Sequence, residues 1–84
     1  MSENELLEAV CNRLSVQLIH PRTVCLTIID CMKFEGWSCR LVEVEGRVAC
    51  TFFNDANAQV ASAMSSVSRT EAIVNAAAIA LGLT

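Results

Sequence analysis

Two residues, Glu45 and Gly46, separate two segments that alternate as β-strands do, Trp37 to Val44 and Arg47 to Asn54. A two-residue loop with glycine second suits a primed hairpin turn, because the twist of that turn matches the twist of the strands it joins. So short a loop also fixes the register. It pairs Val44 with Arg47, Glu43 with Val48, Leu41 with Cys50 and Cys39 with Phe52. One face of the predicted hairpin then carries Trp37, Cys39, Leu41, Val48, Cys50 and Phe52, and this face is expected to be the core. The opposite face carries Ser38, Arg40, Val42, Val44, Ala49, Thr51 and Phe53. It is mixed in character. Arg40, Val42, Thr51 and Phe53 are its candidate interface residues, the place where a partner or a second subunit is expected to sit.

The rest of the chain supplies cover for the hairpin. Ser2-Glu3-Asn4-Glu5 has the form of a capping box, in which a serine oxygen and a glutamate three residues later satisfy each other's backbone N–H groups. Leu6, Leu7, Val10, Cys11 and Leu14 then make a one-sided helical stripe that ends at about Leu14. His20-Pro21 punctuates, and proline suits the first turn of a new helix, where its missing N–H has no partner in any case. Val24, Cys25, Ile28, Ile29 and Met32 repeat the stripe. Leu26 and Cys31 widen it until the helix is apolar on most sides, as a buried or interface helix is. Its β-branched content leaves a strand open as an alternative for Arg22 to Ile29. Gly36 is a natural stop.

After the hairpin, Asn54-Asp55-Ala56-Asn57 is turn chemistry, and Ala58 to Met64 reads as a third, edge strand. Ser68-Arg69-Thr70-Glu71 repeats the capping box. The helix that follows places Ala72, Ile73, Ala76, Ala77, Ala80 and Leu81 on one face and ends at Gly82. Small side chains there permit close approach to a sheet or to another helix. The expected fold is α+β, in the order ααβββα: two N-terminal helices and one C-terminal helix packed on a small antiparallel β-sheet.

With 84 residues, the chain is long enough for one domain. Hydrophobic residues make up 54% and charged residues 18%. Typical globular chains sit near ~45–50% and ~25%. That excess predicts a homo-oligomer, or a face covered by a partner. The net charge is −3, Lys33 is the single lysine, and no basic run occurs, so nucleic acid and membrane surfaces are unfavoured partners. No apolar run approaches the ~20 residues of a membrane span. The acidic start, Glu3 and Glu5, is unlike a secretory leader. The five cysteines (Cys11, Cys25, Cys31, Cys39 and Cys50) all occupy apolar positions of the pattern. They read as small buried hydrophobes, with a reducing cytoplasm as the expected location.

No constellation assembles a catalytic site, and the chain is expected not to be an enzyme. His20, the single histidine, precedes the helix that holds Cys25. A Cys–His pair is weighed there against an exposed loop residue, and the exposed residue is preferred. No C-x2-C or H-x3-H spacing points to a metal. Glu43 and Glu45 bracket the hairpin turn and read as solvated charges rather than an acid–base pair. The glycines, at 36, 46 and 82, form no phosphate-cradling motif, so no cofactor is expected. Among the aromatics of the hairpin region (Phe34, Trp37, Phe52 and Phe53), Phe53 is the one assigned to the mixed face.

The stretch from Arg22 through Gly36-Trp37, the two strands ending Cys50-Thr-Phe-Phe-Asn54, and Thr70-Glu-Ala-Ile-Val-Asn-Ala-Ala-Ala-Ile-Ala-Leu81 resembles a small phage and prophage domain, the phage ABA sandwich. The shared features are a helix closing on Gly-Trp, a short hairpin with aromatics in its second strand, a poor third strand and a final alanine-rich helix. The resemblance implies a phage-borne accessory protein of the host cytoplasm that acts by protein–protein binding, on itself and on a host protein, such as an inhibitor of a bacterial defence system. It implies no catalytic residue. Two alternatives stand beside it. One is a purely structural, oligomeric phage protein. The other is a module similar to a double-stranded-RNA-binding domain, which has the same run of three strands and an alanine-rich helix. That domain contacts phosphate with lysines at the start of its last helix, where this chain has Arg69 and Glu71.

Overall fold

Glu45 and Gly46 both take positive φ, 52° and 77°, the backbone of a type I′ turn. The computed structural model describes residues 3–16 and 21–83, so Ser2 of the first capping box and His20 lie outside the described residues. The elements are α1 (Glu3–Leu14), α2 (Pro21–Phe34), β1 (Ser38–Val44), β2 (Arg47–Phe53), β3 (Gln59–Ser65) and α3 (Arg69–Ala80). This is the α+β order ααβββα that the sequence predicts, and Arg22 to Ile29 is helical. The strands form one antiparallel sheet in the order β1-β2-β3. Val44 lies opposite Arg47, Glu43 opposite Val48, Leu41 opposite Cys50 and Cys39 opposite Phe52, the register that the two-residue loop dictates. β3 pairs with β2 from Val48–Ser65 to Phe52–Ala61. The register then slips by one, so that Phe53 faces Gln59 and Val60 is the extra residue of a β-bulge. Asn54 shapes the β2–β3 turn: its Oδ1 accepts from the backbone N–H groups of Ala56 (2.9 Å) and Ala58 (3.0 Å).

All three helices end in the same way. Each is followed by one residue in the left-handed region: Ser15 (φ 58°), Gly36 (φ 90°) and Gly82 (φ 75°). The next N–H then reaches back five residues, from Val16 to the Cys11 carbonyl (2.8 Å), from Trp37 to Met32 (3.0 Å) and from Leu83 to Ala78 (2.8 Å). These are Schellman motifs, which satisfy carbonyls that a helix end leaves open. In each motif the residue after the left-handed one is apolar and packs against the core. Ser15 is the exposed non-glycine of the set. Ser15→Gly should therefore raise the unfolding free energy by roughly 0.5–1 kcal/mol. The gain should appear as a higher urea midpoint at unchanged slope. An unchanged or lower midpoint would mean that the serine side chain supports the helix end.

α3 is the centre of the molecule. It lies over β2 and β3 and also carries α1 and α2, whereas α1 touches the other helices and has no substantial contact with the sheet. Burial follows from that position: Ala72, Ile73, Val74, Ala76, Ala77 and Ala78 are all enclosed, which covers most of the circumference of the helix. The sequence pattern points to one buried face, and enclosure on several sides is what the alanines additionally permit. The remainder of the core is Leu6, Leu7, Val10 and Cys11 of α1, Val24, Cys25, Ile28 and Met32 of α2, and Cys50, Phe52 and Ala61 of the sheet.

The start of α3 departs from a simple capping box. Ser68 caps as predicted, its Oγ accepting from the Glu71 N–H at 3.1 Å. The return arm runs through a third residue. The Ser68 N–H donates to Ser65 Oγ (3.2 Å), and Ser65 Oγ–H donates to Glu71 Oε1 (3.1 Å). Ser65 also accepts from the Val67 N–H (3.0 Å). It is buried, and its hydroxyl is fully used, as a polar group out of water requires.

One expected core residue is not in the core. Leu41 is 39% exposed. β1 is an edge strand, α3 lies over the other two strands, and α2 reaches β1 over only a short stretch. The hairpin end of β1 therefore projects past its helical cover. Of the rest of that face, Cys50 and Phe52 are fully buried, while Trp37, Cys39 and Val48 are half-buried against the core.

Candidate interaction surface

Among the described residues, all three helices pack from one side, and the other face of the sheet is left uncovered. Strand alternation and the observed register assemble it in three rows. β1 gives Ser38, Arg40, Val42 and Val44, and β2 gives Arg47, Ala49, Thr51 and Phe53. β3 gives Gln59, Val60, Ser62 and Met64, with Gln59 brought in by the bulge. The four candidate interface residues thus share one face, and Arg40 lies directly opposite Thr51. Arg40 and Val42 are exposed, while Thr51 and Phe53 are half-buried by their neighbours. The Thr51 and Ser62 hydroxyls share a hydrogen bond across β2 and β3 at 3.2 Å.

Val44, Val60 and Met64 belong with these four. Each is exposed on the same side, Met64 at 60%. The hairpin register already placed Val44 there. Val60 and Met64 have no comparable signal, because the connection from Asn54 to Ala58 is too long to fix the β2–β3 register as the two-residue turn fixes that of the hairpin. Val42, Val44, Ala49 and Met64 line a hollow of about 180 Å³ near the turn, rimmed by Glu45 and Arg47. None of the strand residues on this face is acidic, and two are arginines. In a chain of net charge −3 the face is locally basic.

A second depression lies along the β1 edge on the helical side, about 580 Å³, where Leu26, Leu41 and Val67 are exposed beside half-buried Ile29. Glu43 and Arg69 close one end of it. Arg69 donates to Glu43 Oε1 at 2.6 Å across 26 residues of sequence, and this contact pushes the guanidinium pKa up. Glu43 is therefore tied to α3 rather than a free charge at the hairpin tip. Both side chains are mostly in water, where such a pair adds little stability.

Cys11, Cys25 and Cys50 are buried, and Cys31 and Cys39 half-buried, in keeping with packed thiols. Among the described residues no group of three His, Cys, Asp or Glu side chains is placed to hold a metal. Phe34, grouped by sequence with the hairpin aromatics, instead stands 94% exposed at the end of α2. Among the described residues no helix is long and apolar enough to cross a membrane. The chain matches no family model, no curated protein and no solved structure.

Proposed function

We propose that this protein works by protein–protein binding through the uncovered face of its sheet, and that it self-associates there. The observation that carries this reading is the coincidence of exposed Val42, Val44, Val60 and Met64 with Arg40 and Arg47 on one face that no helix covers. A mixed apolar and arginine-bearing surface with few acidic groups has the make-up of an interface centre. The likeness to the phage ABA sandwich supplies the biological setting: a phage-borne accessory protein in the cytoplasm of a host bacterium, with a host protein, such as a component of a defence system, as its other partner.

Light scattering at micromolar concentration tests the self-association. The wild type should run heavier than a monomer. Val42→Asp with Met64→Asp should weaken association at least ~100-fold, because an unpaired carboxylate taken out of water costs several kcal/mol. The far-ultraviolet circular dichroism should not change. A monomeric wild type overturns self-association. RNA affinity that collapses between low and high salt would instead favour the nucleic-acid alternative. Pull-down from host lysate with wild type and the double variant then asks whether the same face holds the second partner, which only the wild type should retain.

A further inference from the structure

We infer that Cys39 and Cys50 are a peroxide-reactive dithiol, in which Cys39 attacks and Cys50 resolves, closing a reversible disulfide between β1 and β2. The two sulfurs lie 3.5 Å apart and share a hydrogen bond. They are diagonal neighbours on the helical face of the hairpin, Cys39 opposite Phe52 and Cys50 opposite Leu41. A disulfide of ~2.05 Å therefore needs an approach of about 1.5 Å by two side chains already in contact.

The two thiols are not equivalent. Cys39 is half-buried on the edge strand β1, whereas Cys50 is fully buried on the central strand β2. Hydrogen bonding from Cys50, helped by the positive charge of Lys33, pulls the Cys39 thiol below its usual range in spite of partial burial. The same hydrogen bond, with burial, pushes the Cys50 thiol up. A half-exposed thiol made more acidic beside a buried partner made less so is the arrangement that favours attack by Cys39 and a sulfenic-acid intermediate there. Cys11, by contrast, is buried, and burial pushes its thiol up.

The chemistry balances with a peroxide as oxidant. The Cys39 thiolate attacks one peroxide oxygen and the O–O bond breaks. Cys39 becomes a sulfenic acid, and the other oxygen leaves as hydroxide, which takes up the proton that Cys39 released and becomes water. The Cys50 sulfur then attacks the Cys39 sulfur, forming the S–S bond. The sulfenic hydroxyl leaves with the Cys50 proton as a second water. Two electrons pass from the two thiols to the peroxide, and a dithiol reductant reverses the change.

Hydrogen peroxide in small excess over the full chain tests the assignment by intact mass, thiol titration and non-reducing peptide mapping. Trypsin cuts at Arg40 and Arg47, so the two cysteines fall in different peptides. The expected result is a mass lower by two hydrogen atoms, loss of two of the five titratable thiols, and a link between those two peptides that dithiothreitol removes. Cys39→Ser should keep every remaining thiol over the same exposure, and Cys50→Ala should accumulate a sulfenic acid at Cys39 that a dimedone probe captures. A wild type that keeps all its thiols, or links any other pair, overturns the proposal. The wild-type measurement decides this even if a variant fails to fold.

Discussion

Phe52→Ala is expected to lower the free energy of unfolding by roughly 3–5 kcal/mol, the cost of emptying a filled aromatic site. Phe52 is among the largest fully buried side chains of the molecule and sits on the central strand, with Cys39 and Ala61 opposite it. Over it lies a helix whose buried positions are mostly alanine. Alanines have no side-chain freedom with which to fill a hole, so the cavity should stay open. A domain of this length holds on the order of 4–12 kcal/mol in total, so the variant should be partly unfolded near 37 °C. The next residue supplies the control. Phe53 points to the uncovered face and is half-buried, and Phe53→Ala should cost under ~1.5 kcal/mol. Urea unfolding followed by circular dichroism measures both. Equal losses at the two positions would contradict the sidedness assigned to the sheet.

The second large effect runs in the opposite steric direction. Ala77→Leu should destabilise by about 1–3 kcal/mol, with a loss of cooperativity, because it adds volume to a position that is already fully enclosed. α3 touches the sheet, α1 and α2 together, so a displacement on any side is passed to another layer. The same substitution at Ala58, exposed in the β2–β3 turn, should stay within ~0.5 kcal/mol. Tolerance of leucine at residue 77 would show that α3 is packed more loosely than its burial indicates.

These two residues also mark where sequence reasoning reaches and where it stops. Phe52 was legible because Glu45-Gly46 fixes the register, and register fixes sidedness; both are local facts. The faces of Arg40, Val42, Thr51 and Phe53 follow from the same logic. The exposure of Leu41 was not legible, since it depends on how far the helices extend over an edge strand. Ser15 went unread because the left-handed seat after a helix is normally announced by glycine. The Arg69–Glu43 pair joins residues far apart in the chain, and neither sequence neighbourhood hints at the other. The enclosure of α3 went unread for a different reason. Alanine is compatible with a surface as well as with a core, so an alanine-rich pattern does not count its buried sides.

The extra residue in β3 bears on what kind of assembly the molecule can build. A three-stranded sheet has two free edges, and a chain able to pair through both would propagate without limit. At Phe53 and Val60 the ladder slips, which twists that end of β3 and interrupts its row of outward backbone groups. Open-ended growth through β3 is discouraged. Association through the uncovered face, by contrast, can obey a two-fold axis, in which each copy offers the other the same patch and the arrangement closes at two. One inserted residue thus sets the β3 edge against open-ended strand addition.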